Sequence, residues 1–172
     1  KCKCWQKIFT FRGLFILALL ACLSLLLGSH IVETYFYIIP CQLCILQRGV
    51  YYVLAALFMI GALHNPTNVG RYLYAMLNFI FSAIGITIAG RQIWIQHLPI
   101  EQVPECAPGL ERLLSIYPFL DVIKMVFHGT SECFKVHFKV LGLPLSNWSF
   151  LSFIGFASLC VLIMIWPKKR WI

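Results

Sequence analysis

Acidic residues are scarce in this chain, with six Asp and Glu among 172 residues. Charged residues of both signs make up 12% of it, where an ordinary soluble domain carries about a quarter. No two carboxylates stand in a pattern suited to paired acid–base work. Neither a glycine-rich phosphate loop nor a serine elbow is present. Linkers, internal repeats and low-complexity tracts are also missing, so a single domain over residues 1–172 is expected. The formal charge of +8 would suit nucleic acid, but the basic residues form no patch interleaved with aromatics. They are distributed as membrane orientation requires.

What the chain does have is apolar surface. Sixty per cent of its residues are hydrophobic, more than a globular core of this size can hide, so lipid must be the solvent for much of it. Spanning the hydrocarbon takes about 20 mostly apolar residues. Four stretches qualify, roughly Gly13–Val32, Leu43–Leu63, Tyr72–Gly90 and Trp148–Trp166. Lys1, Lys3, Lys7 and Arg12 precede the first, and Leu19-Leu20-Ala21-Cys22 resembles a cleavage site. The apolar run nevertheless continues to Leu27, too long for a signal core, and is read as a retained helix. The fold class is an all-α membrane protein, a bundle of four transmembrane helices.

Charge sets its direction. The N-terminal tail carries four Lys/Arg, the short connection near Asn65–Arg71 one, and the C-terminal tail three (Lys168, Lys169, Arg170). The connection over residues 33–42 has none. That over 91–147 spreads five along a stretch that also holds Glu101, Glu105, Glu111, Asp121 and Glu132. Short basic segments stay in the cytoplasm, so both termini are expected inside and the 33–42 and 91–147 connections outside. Tyr35, Tyr37 and Trp94 suit the outer interface, and Trp5, Trp166 and Trp171 the inner one. Within the long outward-facing loop, Pro118 can start a short helix to about His128. Leu120, Ile123 and Phe127 would share one face of it, an amphipathic spacing that fits either the membrane surface or the other helices.

Topology sorts the eight cysteines. Cys2 and Cys4 fall in the cytoplasmic tail, where thiols stay reduced. Cys22 and Cys160 lie within spans, where cysteine behaves as a small apolar residue. Cys41, Cys44, Cys106 and Cys133 remain, all on the oxidising side, enough for two disulfides. Cys41-Gln42-Leu43-Cys44 is a CxxC at the start of the second helix, just after Pro40. Unpaired backbone N–H groups and the positive end of the dipole lower a thiol pKa there, and the thiolate is the reactive form. The same spacing also serves zinc, so half of a four-thiolate metal site completed by Cys106 and Cys133 stays open. Those two cysteines sit in turn-like surroundings with Pro104, Pro108, Gly109 and Gly129. A bridge between them would add roughly 3–4 kcal/mol by the chain-entropy model, and a purely structural staple is the bland reading.

Arg48 lies one turn inside the second span, where charge is costly. It follows Cys44 by four residues, so the two project from one helix face. A cation there would stabilise a Cys44 thiolate and the developing oxyanion of a bound carbonyl compound; the alternative is a snorkelling anchor. Arg91 and His97 bracket the outer end of the third span beside Gln92, Trp94 and Gln96, where they could line a polar mouth or anchor the interface. His30, His64, His128 and His137 show no ligand spacing.

Pro40-Cys41-Gln42-Leu43-Cys44-Ile45-Leu46-Gln47-Arg48 resembles the PCxLCxxxR signature of the disulfide-bond-formation protein B (DsbB) family. Gly90–Pro99, Pro104–Leu110 and Gly129–Cys133 are similar to the family as well, so the resemblance covers nearly the whole chain. It implies a bacterial inner-membrane four-helix bundle that reoxidises a periplasmic thioredoxin-fold dithiol oxidase of the DsbA type. By that resemblance the partner attacks Cys106 of a Cys106–Cys133 bridge. Electrons pass through a Cys44–Cys106 link to the Cys41–Cys44 pair, and a ubiquinone or menaquinone near Arg48 takes them up. The family's quinone-contacting His has no counterpart at Arg91 or Gln92, and the role is carried to Arg91. Cys2, Cys4, Cys22 and Cys160 match no familial role. Competing readings are a relative of the vitamin K epoxide reductases, a disulfide-stapled membrane protein and a metal-binding one.

Overall fold

The structure, a computed structural model, describes residues 11–37, 41–64, 66, 68–97, 118, 139–140 and 142–165. Four helices make up most of these: α1 (Phe11–Phe36), α2 (Gln42–His64), α3 (Asn68–Gln96) and α4 (Leu145–Ile165). Two short strands, β1 (Lys139–Val140) and β2 (Leu143–Pro144), precede α4. All four helices are long and apolar enough to cross a membrane, and the chain is the all-α four-helix membrane bundle expected.

The helices run past the apolar stretches that announce them. At about 1.5 Å per residue, their 26, 23, 29 and 21 residues exceed the roughly 30 Å of hydrocarbon. Residues 33–36, expected in a connection, continue α1, and residues 91–96 continue α3. Glu33, Gln92 and Gln96 in these turns meet side chains of other helices, which holds the extra turns against the bundle. Tyr37 closes α1 with a φ of 51°, the left-handed turn that ends many helices. Gly142, at φ 84°, makes the turn that brings Val140 opposite Leu143 and Lys139 opposite Pro144.

Neighbouring pairs pack in chain order: α1 on α2, α2 on α3, α3 on α4. Phe15 of α1 meets Phe58 of α2 edge-on at 5.2 Å. Tyr51 of α2 stacks on Phe153 of α4 at 4.4 Å. Its hydroxyl hydrogen-bonds the Ser152 hydroxyl and donates to the Ser149 carbonyl at 3.4 Å. Two glycines permit this closeness. A Cβ at Gly61 would stand 2.6 Å from the Phe15 ring, and one at Gly85 2.6 Å from the Phe153 ring. Cys22 and Cys160 are fully buried in this core, as small apolar residues would be. Leu17, Leu20, Leu27, Ile80, Leu151 and Leu162 turn outward, an apolar exterior that suits lipid.

The end of α1, the start of α2, the end of α3 and the start of α4 gather at one end of the bundle, which holds Cys41 and Cys44. Cys2, Cys4, Cys106 and Cys133 lie outside the described residues, as does the expected helix from Pro118 to His128 apart from Pro118 itself.

Candidate active site

Cys41 precedes the first residue of α2 and caps the helix. Its carbonyl accepts the Ile45 N–H at 3.1 Å, and its sulfur accepts the Cys44 N–H at 3.3 Å. A serine or threonine hydroxyl at this position does the same work; here a sulfur does it. Cys44, one turn on, brings its Sγ to 2.6 Å from that of Cys41. Cys41 is fully buried and Cys44 partly exposed, so only Cys44 is placed to meet a reactant.

From α3, Gln92 reaches both sulfurs. Its Nε2 lies 3.3 Å from Cys44 Sγ and 3.6 Å from Cys41 Sγ. Its oxygen accepts the Gln47 side-chain amide at 2.6 Å. Both glutamines are buried. Ser146 at the start of α4 donates to Gln96 Oε1 at 2.8 Å, closing the same end of the bundle.

Arg48 shares a helical face with Cys44, one turn deeper, as expected. Its guanidinium crosses to α1. Nη1 lies 2.5 Å from Glu33 Oε2, and Nη2 donates to the Ser29 carbonyl at 3.4 Å. His30, which shows no ligand spacing in the sequence, lies at the exposed edge of this group. Its Nδ1 is 3.9 Å from Glu33 and its Nε2 3.4 Å from the Tyr52 hydroxyl. Arg91 sits half-buried beside Gln92 on α3. His97 is exposed, and its Nδ1 hydrogen-bonds the Ile93 carbonyl at 2.8 Å, a contact that steadies the end of α3.

Gln47 and Glu33 have no part in the sequence-based site, and Gln92 stands in it only as a neighbour of Arg91 at the polar mouth. Their signal was available, because a polar side chain within a membrane helix marks function by default. What the sequence did not supply was the register that faces Gln47 toward Gln92 across two helices.

The sequence profile of the family described as "Disulfide bond formation protein DsbB" matches residues 11–163. This chain belongs to the DsbB family. It is 38% identical over 150 residues to "Disulfide bond formation protein B" of Stutzerimonas stutzeri, covering 87% of this chain and 92% of that one. The protein of the same description from Chromohalobacter salexigens is 43% identical over 140 residues, 80% and 81% of the two chains. That from Saccharophagus degradans is 32% identical over 164 residues, 95% and 96%. As a DsbB-family member the chain is a multi-pass bacterial inner-membrane protein and a thiol oxidoreductase linked to a quinone. The vitamin K epoxide reductase, stapled and metal-binding readings are not favoured. At the start of α2 stand two thiols close enough to bridge, one of them accessible.

Proposed function

We propose that the chain reoxidises a periplasmic dithiol oxidase of the DsbA type through two cysteine pairs in series, Cys106–Cys133 and then Cys41–Cys44. What supports this most is the pair on α2, with sulfurs 2.6 Å apart, one buried and one opening outward. In this scheme both termini are cytoplasmic and all four cysteines periplasmic, in line with the four and three basic residues of the two tails.

The partner's thiolate attacks Cys106, forming a mixed disulfide and releasing Cys133. The partner's second thiolate then displaces Cys106 and leaves the partner oxidised. Cys106, now a thiolate, attacks Cys44 and expels Cys41, whose charge the helix start and the Cys44 N–H are placed to receive. Cys133 attacks Cys106 of that link, restoring its own bridge and freeing Cys44. One electron pair has moved from the partner to the Cys41–Cys44 pair.

Arg48 and Arg91 would hold a quinone carbonyl by N–H donation. The donor set fits: the contacts of Arg48 with Glu33 and Ser29 engage two nitrogens of a group with about five N–H donors. A bound ubiquinone or menaquinone supplies the two-electron acceptor that returns the pair to its disulfide.

A Cys133→Ser variant tests the partner step. Without Cys133 the unbridged Cys106 thiolate should attack the disulfide of oxidised partner, and acid quenching followed by alkylation of the partner's freed thiol should preserve the adduct. Reductant should release a thioredoxin-fold protein from it, and peptide mapping should place the link at Cys106. An adduct at Cys2 or Cys4, or none, contradicts the scheme.

A further inference from the structure

The side-chain amide of Gln92 is engaged at both ends. Its oxygen is taken by Gln47 at 2.6 Å, which leaves the nitrogen to face Cys44 at 3.3 Å and Cys41 at 3.6 Å. Gln47 is 4% exposed and Gln92 2%, so neither can turn to bulk water instead. Burying two amides among membrane helices is unfavourable unless they are hydrogen-bonded. Here the bonds run in one direction, from α2 through α3 and back to the sulfurs on α2. A chain of that kind polarises each successive donor.

We propose that Gln92, oriented by Gln47, is a hydrogen-bond donor aimed at the sulfurs, and that it stabilises the reduced Cys41–Cys44 pair as thiolate. This rests on the reading of that pair as the redox centre. Reduction adds two electrons and breaks the sulfur–sulfur bond, and one resulting sulfur carries charge. A charged sulfur accepts a hydrogen bond far more strongly than a bridged or protonated one. The donor therefore favours reduction of the pair by Cys106 and keeps Cys44 in its nucleophilic form. Gln92 touches the reacting atoms; Gln47 acts through it as a positioning residue.

The charged and titratable groups around the pair leave this amide a distinct part. On α2, Arg48 is engaged by Glu33 of α1, with His30 beside it, and Tyr51 and Tyr52 lie about two turns deeper. From α3 come Arg91 and His97. On α4 the sole ionisable side chain is Cys160, deep in the span. Exchanging an amide for a thioether of similar size alters none of these.

The test uses full-length protein with its cysteines reduced, and reads alkylation of Cys44 by iodoacetamide against pH. Gln92→Met should move the midpoint upward by about one pH unit. Alkylation below the midpoint then slows about tenfold. The equilibrium with a glutathione buffer should shift toward the disulfide by a similar factor, about 30 mV for a two-electron couple. Gln47→Met should move the midpoint in the same direction by less, and should add nothing in a Gln92→Met background. An unmoved midpoint in Gln92→Met, with Cys22 and Cys160 still protected from the reagent, overturns the proposal. So does an unmoved midpoint in Gln47→Met, which leaves Gln92 and both sulfurs in place and serves even where Gln92→Met fails to fold. Wild-type protein given ubiquinone or menaquinone separates the two readings. If its reduced pair is not reoxidised, the redox assignment fails; if it is and the midpoints do not move, the amide's role alone fails.

Discussion

Arg48 of α2 holds Glu33 of α1 at 2.5 Å across the mouth of the bundle, with the two side chains 19% and 30% exposed. A cation one turn below Cys44 is thus fixed in place by a carboxylate from another helix. Removing one member of such a pair strands the other's charge. Glu33→Ala should therefore lower thermal stability, and Arg48→Ala in the same protein should restore part of the loss. A double-mutant cycle on the melting transition should give a coupling of about 1–2 kcal/mol. Additive effects would mean that the pair holds nothing.

The same geometry gives Arg48→Ala a selective effect. In the proposed scheme the exchange of Cys106 with the DsbA-type partner makes no use of the guanidinium, whereas a quinone carbonyl would receive its N–H groups. Losing a charge-assisted hydrogen bond worth about 1.5–3 kcal/mol should slow quinone-dependent turnover roughly 10- to 100-fold. Reduction of the protein by partner dithiol, followed in single turnover without quinone, should change little. Equal loss in both half-reactions would remove Arg48 from the quinone site.

Gly85 faces the Phe153 ring so closely that a methyl group would stand 2.6 Å from it. The ring is fully buried and already stacked on Tyr51, so it has little room to yield. Gly85→Ala should destabilise by about 1–3 kcal/mol, the usual cost of overpacking. A pulse-proteolysis or denaturant series in detergent would measure it. A neutral result would mean that α3 and α4 separate more readily than their packing indicates.

Tyr51 offers a graded comparison. Tyr51→Phe keeps the stack on Phe153 and loses the hydroxyl contacts with Ser149 and Ser152, at about 0.5–1.5 kcal/mol. Tyr51→Leu loses the stack as well and should cost a further amount of about 0.5–1.5 kcal/mol. A Phe variant as unstable as the Leu variant would assign the whole effect to the hydroxyl.

Hydropathy announced the four helices but not their ends. The third apolar run stops near Gly90 because Arg91, Gln92 and Gln96 follow it. The two glutamines are polar, but they face protein: Gln92 meets Gln47 and two sulfurs, and Gln96 meets Ser146. Counted as loop, they concealed a helix that continues to Gln96. Glu33 was hidden in the same way, assigned to an external connection when its partner sits on the next helix. The CxxC and Arg48 were legible because sequence spacing alone places them on one helical face. The Gln47–Gln92 contact joins residues 45 positions apart, and only the packing of α2 on α3 brings them together.

The most direct measurement asks whether the α2 pair gives its electrons to a quinone. Full-length protein is reduced, freed of reductant and given ubiquinone or menaquinone without oxygen; remaining thiols are counted and bridges mapped by mass spectrometry. Two thiols should disappear per quinone reduced, and the new bridge should join Cys41 to Cys44. An unchanged thiol count with both quinones, or Cys41 and Cys44 left unbridged once quinone is in excess, would contradict the central claim that this pair is the site of quinone-linked oxidation.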